Sequence, residues 1–260
     1  MEIRYWWISI ARFLIGGRQS TIRSACSINV QRSGEIDVRR PPLTKRLLGT
    51  AFAVLNLLAA PVAAETELAF YLGGQSLPHS VVTGSDPGHD TDLDFTAAWE
   101  GRSFEAPIYY GLRATQWRSD TFGWGAEFTH SKAYSDDDTR ADHGFDRLEL
   151  TDGVNIFTIN AYRRWPNQIG SLTPYVGGGL GFAIPHVEVE SAGGSTIGYQ
   201  VTGAAVRWTA GATYNINETW GVFGEYQGTF SQHDMELDNG GSLETSLVTN
   251  ALNIGVSFTF

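Results

Sequence analysis

The chain has 260 residues, a formal net charge of −10 and a hydrophobic fraction of 42%. Its acidity makes nucleic acid an unsuitable partner, because phosphate contacts need Lys and Arg. The only cysteine is Cys26, which excludes a disulfide framework. We therefore expect a protein that neither binds nucleic acid nor uses thiol chemistry.

Residues 45–64 have the organisation of a signal peptide. Lys45 and Arg46 precede an apolar run over 47–60, and small residues ending at Ala64 follow it, as in an export signal with its cleavage site. The run is shorter than the roughly 20 residues of a membrane-spanning helix. We interpret residues 1–44 as an extended or mis-assigned leader that is disordered. The mature chain would be 65–260.

Residues 65–260 alternate between apolar and small or polar side chains, and this period of two is typical of strands. Short connections between these segments alternate along the chain with long, acidic connections, as in outer-membrane barrels. The sequence therefore predicts an all-β fold, an eight-stranded antiparallel up-and-down transmembrane β-barrel. The predicted strands cover 66–77, 107–118, 122–132, 152–165, 173–188, 199–214, 220–233 and 252–260. The long connections are 78–106, 133–151, 189–198 and 234–245.

The last predicted strand resembles the C-terminal signature of bacterial outer-membrane barrels. Leu252, Ile254, Val256, Phe258 and Phe260 share one face, and the chain stops on an aromatic residue. This resemblance implies insertion by the barrel-assembly machinery and a location in the bacterial outer membrane, among its lipids. An even number of strands places both ends of the mature chain in the periplasm and the long loops outside the cell. One segment, 94–100, fits either a short extra hairpin or a longer second strand.

Five charged residues are predicted to face the barrel interior: Glu67, Arg113, Glu127, Arg207 and Glu225. A barrel of this size has room inside only for its own side chains. Because a lone enclosed charge is expensive, these charges should be paired. We interpret them as a structural ion-pair network, with a narrow gated path for protons or ions as the alternative.

All six histidines fall at the external end of the predicted barrel, together with most of the acids. Imidazole and carboxylate are ligands for divalent metals, and His186 and Glu188 share one face of a strand. The candidate metal ligands are His130, His143, Asp146, His186, Glu188 and His233. The alternative is an acidic rim that binds divalent cations loosely among lipopolysaccharide phosphates. No Ser/His/Asp trio stands out.

Several stretches together resemble the outer-membrane lipid A oxidase family. They are 99–104, 109–115, 128–130, 136–138, 144–149, 160–165, 173–179, 184–188 and 223–227. The resemblance implies oxidation of the proximal glucosamine of lipid A to 2-aminogluconate. Molecular oxygen would be the co-substrate, a divalent metal ion the cofactor and lipopolysaccharide the partner. The resemblance transfers no catalytic residues, so the catalytic residues stay unassigned.

Two functions of other classes stay open at this point. One is a non-catalytic barrel of the OmpA/OmpX type that supports the envelope or binds a surface partner. The other is the narrow conductance through the interior.

Overall fold

The structure, a computed structural model, describes residues 65–166 and 168–260. The predicted leader 1–44 and signal peptide 45–64 lie outside the described residues. The strands are β1 (Glu65–Ser76), β2 (Ser80–Ser85), β3 (Leu93–Ala97), β4 (Trp99–Glu100), β5 (Tyr110–Trp117), β6 (Phe122–His130), β7 (Ala133–Ser135), β8 (Phe145–Leu150), β9 (Ile156–Arg164), β10 (Leu172–Ala183), β11 (His186–Ser191), β12 (Gly194–Tyr199), β13 (Gly203–Asn215), β14 (Trp220–Glu236) and β15 (Ser242–Thr259). One helix, α1 (Asp137–His143), lies between β7 and β8.

Eight of these strands form a closed antiparallel barrel, in the order β1-β5-β6-β9-β10-β13-β14-β15. The barrel closes because β15 pairs with β1, Phe258 lying opposite Leu68 and Asn250 opposite Ser76. Each predicted strand overlaps one barrel strand, so the predicted fold is confirmed. The last strand is much longer than predicted, because it begins at Ser242 rather than near Leu252.

The barrel wall is apolar outside and polar inside. In β1, Leu68, Phe70 and Leu72 are exposed, whereas Ala69 and Tyr71 between them are buried. In β15, Leu252 and Ile254 are each 71% exposed. This arrangement is typical of a barrel whose exterior meets hydrocarbon. None of the described helices has the length and apolar character needed to cross a membrane.

A folded cap, formed largely by the predicted long connections, covers one end of the barrel. The β2–β3 hairpin pairs with the outer part of β15, Thr245 lying opposite Val82. A second sheet has the order β12-β11-β8-β7-β4. The ambiguous segment 94–100 contributes to both, because β3 pairs with β2 and β4 pairs with β7. We call this end the cap end, and the opposite end, with the short turns and Phe260, the turn end.

The cap has its own hydrophobic core. Its strands are amphipathic: Leu148 and Leu150 of β8 and Val187 and Val189 of β11 are all buried. These side chains pack in one cluster with residues from the barrel's upper edge, such as Ile156. Burial of this apolar surface explains why the connections are folded rather than open.

Asp86 joins three turns of the cap. It is only 3% exposed, and its carboxylate accepts hydrogen bonds from Ser191 Oγ (2.5 Å), Asn239 Nδ2 (2.8 Å) and the Gly88 amide (3.0 Å). Burial alone would raise the pKa of Asp86, but these hydrogen bonds and nearby His89 hold the pKa below its ordinary value of 3.8. The turns after β2, β11 and β14 are thereby held by one anion.

We expect the Asp86→Asn variant to open these three turns more readily, by about 2 kcal/mol, because hydrogen bonds to a charged group are worth about 1.5–3 kcal/mol each. Hydrogen exchange of the turn amides measures the loss, with exposed Asp90→Asn as the matched control. The pKa of the Asp86 carboxyl group is lower in the folded protein than in the unfolded chain. Ionised Asp86 therefore stabilises the turns at pH values above the unfolded pKa, and this stabilisation is lost as the pH falls through the folded pKa. The wild-type turns should therefore lose protection below about pH 4 and the variant's should not. Equal protection of both proteins at pH 6 would contradict this role.

Candidate functional site

Four of the five charges predicted for the barrel interior form one connected network. Arg113 Nε lies 3.0 Å from Glu127 Oε2, and Arg113 Nη2 lies 2.8 Å from Glu225 Oε1. Arg207 Nη1 lies 2.8 Å from Glu127 Oε1. Tyr71 and Tyr162 also donate to Glu127, each at 2.7 Å. Two cations and two anions thus fill the barrel at this level, which favours the structural interpretation over an ion path.

Glu67, the fifth predicted interior charge, lies nearer the turn end. It accepts a hydrogen bond from Trp117 Nε1 at 3.2 Å, and Arg164 Nη1 lies 3.9 Å from it. These residues line a vestibule of about 440 Å³ that reaches Arg113 and Phe223 from the turn end. Glu67 therefore belongs to the mouth of the barrel rather than to the central network.

The structure does not gather the six predicted metal ligands at one place. His143 stacks on Phe95, with ring centroids 4.0 Å apart, and Asp146 is exposed in β8. His233 is buried between two hydroxyls, Thr202 Oγ1 at 2.9 Å from Nδ1 and Ser231 Oγ at 2.8 Å from Nε2. Both nitrogens of His233 are thus occupied by protein groups.

His186 and Glu188 do come together, and the third member of the group is Asp152. One ligand atom from each residue lies within 4.8 Å of the others. His186 and Glu188 lie on one face of β11, as their spacing predicted. Asp152 comes from the loop between β8 and β9, which is held to β11 because the His186 amide donates to the Gly153 carbonyl at 3.0 Å. Sequence reasoning missed Asp152, since nothing in the sequence places this loop beside β11.

Glu188 is held as an anion. Burial opposes its ionisation, but hydrogen bonds from Thr151 Oγ1 (2.8 Å), Arg147 Nη1 (2.5 Å) and His186 Nδ1 (3.0 Å) set its pKa below the usual range. One imidazole and two carboxylates suit a divalent transition metal. Arg147 neutralises part of the charge, but its side chain is 43% exposed, so water can solvate it if a cation takes Glu188. The three residues therefore fit a divalent ion.

His130 lies beside this group with one free nitrogen. Its Nδ1 lies 3.0 Å from Asn155 Oδ1. An amide oxygen only accepts, so this contact places the ring proton on Nδ1. Nε2 is buried and has no hydrogen-bond partner among the described residues, and the Tyr110 ring stacks on His130 with a centroid distance of 5.2 Å. A buried acceptor without a partner is costly, so Nε2 is available to accept a hydrogen bond from a ligand.

The loop 151–155 connects His130 to the carboxylate group. A Cβ at Gly153 would lie 2.4 Å from His130 Nδ1, and the φ angle of Gly153 is 105°, so only glycine fits there. On the other side, the Tyr199 hydroxyl donates to the Asp152 carbonyl at 3.1 Å, and its ring lies 4.7 Å from His186. We call this assembly the rim cluster. Its members are Tyr110, His130, Asp152, Asn155, His186, Glu188 and Tyr199.

The rim cluster lies at the edge of the apolar exterior. His130 follows Phe128 by two residues and so lies on the same, outward face of β6. Phe128 is paired with Phe157, and Phe157 with Phe182, on neighbouring strands. On β12, which pairs with β11, Ile197 lies opposite Glu188 and is 61% exposed. Metal-ligand and acid–base groups thus border a lipid-facing wall.

A closed antiparallel barrel with an apolar exterior and a charged interior defines a membrane barrel. Residues 50–260 match the family described as outer membrane protein beta-barrel domain, and the chain belongs to this family. It is a small outer-membrane β-barrel of the OmpA/OmpX type, and its exterior lies among outer-membrane lipids. Comparison with the curated proteins found no match.

Solved structures of other small barrels are similar in outline. Neisserial surface protein A is 12% identical with a TM-score of 0.43, covering 75% of this chain and 97% of that one. OprG of Pseudomonas aeruginosa is 16% identical with a TM-score of 0.43, covering 76% and 96%. The N-terminal barrel of Pseudomonas aeruginosa OprF is 14% identical with a TM-score of 0.40, covering 75% and 97%. No conclusion about function follows from similarities at this level.

Proposed function

We propose that the chain is an outer-membrane lipid A oxidase, which oxidises the proximal glucosamine of lipid A to 2-aminogluconate with molecular oxygen. The observation that carries the proposal is the rim cluster at the border of the lipid-facing wall. It combines a His/carboxylate donor set with a histidine nitrogen that has no partner among the described residues. A lipid in the surrounding leaflet presents its headgroup at this level. The proposal requires the cap end to face outside the cell, the two ends of the mature chain to lie in the periplasm and insertion to use the barrel-assembly machinery.

The chemistry assigns a role to each part of the rim cluster. Removal of two electrons and two protons from the anomeric centre gives a lactone, and molecular oxygen takes them up as hydrogen peroxide. Water then opens the lactone to 2-aminogluconate, so that the net change to the lipid is a gain of one oxygen atom. A redox-active divalent ion held by Asp152, His186 and Glu188 would supply the electron transfer to oxygen. His130 Nε2 accepts the proton of the anomeric hydroxyl, and the bond to Asn155 keeps Nε2 unprotonated and oriented. The substrate must carry a free anomeric hydroxyl, because a phosphate there blocks the step.

The test is expression of the mature barrel with its export signal in a Gram-negative host that lacks the activity and has lipid A with a free anomeric hydroxyl. Mass spectrometry should show lipid A that has gained one oxygen atom, and refolded protein should bind a stoichiometric divalent metal. Lipid A that keeps a phosphate at the anomeric position should stay unchanged. Folded protein in the membrane that leaves every lipid A species unaltered would refute the oxidase and favour the non-catalytic barrel.

A further inference from the structure

The outward wall near β6 contains two neighbouring rows of side chains. In the row closer to the cap, large residues follow one another across paired strands: Phe70, Leu112, Phe128, Phe157 and Phe182. The next row towards the turn end reads Leu68, Ala114, Ala126, Ile159 and Leu180. The second row is therefore interrupted by two adjacent alanines, between Leu68 and Ile159.

This interruption is a cavity in the exterior wall. It measures about 590 Å³, its surface is almost entirely apolar, and most of its lining residues belong to the two rows. Ala114 and Ala126 form its floor, since each is shorter than its neighbours by several methyl or methylene groups. Leu180, at 69% exposure, and Ile159, at 60%, stand out from the wall beside it. We call it the apolar notch.

The membrane determines what can occupy the notch. The outward wall of an outer-membrane barrel faces hydrocarbon, so an acyl chain is the available occupant. Lipid tails are as apolar as the wall, so only close packing distinguishes a chain in the notch from one in the bilayer. An acyl chain will therefore favour the notch over the surrounding bilayer only if a second contact holds the same lipid molecule.

The rim cluster supplies that second contact. Ala126 and His130 lie on one strand and on the same face, four residues apart, which is about 13 Å along the strand. The notch is therefore within reach of an acyl chain of a lipid whose headgroup binds at His130. Once the headgroup is bound, seating the chain is an intramolecular step with a high effective concentration.

We propose that the apolar notch seats one acyl chain of the lipid whose headgroup the rim cluster holds. The identity of the headgroup rests on the proposed function, whereas the seat itself does not. The consequence is that the substrate class is an acylated glucosamine lipid in its membrane, and that free sugars are poor substrates because they lack this second contact.

The test uses lipid A with a photoreactive diazirine on an acyl chain, in phosphatidylethanolamine vesicles that contain the refolded barrel. Cross-links mapped by peptide mass spectrometry should concentrate on β5, β6 and β9. The double variant Ala114→Leu/Ala126→Leu fills the notch and should lower their yield to that of the opposite side of the barrel. Ala210→Leu on the outward face of β13 is the matched control and should leave the pattern unchanged. Heat-modifiable mobility on gels shows that each variant is folded.

Three outcomes separate the seat from the oxidase. Cross-links spread evenly around the barrel, or unaffected by filling the notch, overturn the seat whether or not lipid A is oxidised. Concentrated cross-links without oxidation support the seat and remove only the proposed activity. A diazirine on phosphatidylethanolamine in place of lipid A should give an even pattern, and a concentrated one would overturn selection by the headgroup.

Discussion

Lipid A oxidation by the His186→Ala variant is expected to be at least about 100-fold slower than by the wild type. The change removes the only imidazole of the donor set and leaves Asp152 and Glu188 beside Arg147. Even a residue that only supports a metal ligand typically costs about 10–100-fold when it is replaced, so losing a ligand should cost more. Initial rates by mass spectrometry of lipid A, with metal content measured on the same samples, check this expectation.

The matched control is His79→Ala, which changes an exposed histidine outside the rim cluster and should retain full activity and metal content. Asp152→Asn should resemble His186→Ala, because the amide supplies no anionic oxygen. A His186→Ala protein that is folded and keeps wild-type activity would remove the rim cluster from the reaction. Loss of metal without loss of activity would separate a structural ion from the chemistry.

Replacing Glu127 with alanine is expected to destabilise the barrel by about 3–5 kcal/mol, the usual result of breaking a buried ion pair from one side. Glu127 is the anion shared by Arg113 and Arg207. Without it, Arg113 keeps Glu225 as its ion-pair partner, Arg207 loses the carboxylate that it contacts, and the hydroxyls of Tyr71 and Tyr162 lose their acceptor. Urea unfolding of the barrel in lipid vesicles, followed by tryptophan fluorescence, gives the free-energy difference.

Two further variants define the cause of that loss. Glu127→Gln keeps the shape and several hydrogen bonds, so its effect isolates the charge. Glu236→Ala removes an exposed carboxylate at the cap end of β14 and should lie within about 0.5 kcal/mol of the wild type, as surface changes usually do. If Glu127→Ala also falls within that range, the network does not stabilise the barrel.

The barrel was readable from the sequence because its signal is local. Each strand separates a hydrocarbon exterior from a crowded interior, so alternation alone sets which side chains point outward. In the predicted strand 152–165 the alternation alone leaves the phase ambiguous. In the structure Phe157, Ile159 and Ala161 point outward, since all three are exposed. The placement of Arg113 and Glu127 inside follows from the same alternation.

The cap and the residues of the rim cluster could not be predicted from the sequence, because both depend on contacts between segments that are far apart in the chain. Each cap strand is short, and β8 pairs with β11 only after the chain has formed the two barrel strands β9 and β10. The histidines were correctly expected at one end, yet which of them meet depends on the path of loop 151–155. The spacing of His186 and Glu188 in the sequence is enough to place them on one face of the strand. Asp152 lies near them because the carbonyl of the next residue, Gly153, accepts a hydrogen bond from the His186 amide.

The length of β15 has a consequence for how the chain folds. This strand of 18 residues pairs with β1 to close the barrel, and its first residues pair with β2, with Thr245 opposite Val82. Both pairings join segments that are far apart in the sequence. Pairings between such distant segments form slowly, because the intervening chain must be ordered first. Barrel closure and the docking of β2 thus depend on the same strand. Barrel closure and docking of the β2–β3 hairpin are therefore coupled through one strand, and a chain that lacks β15 has neither.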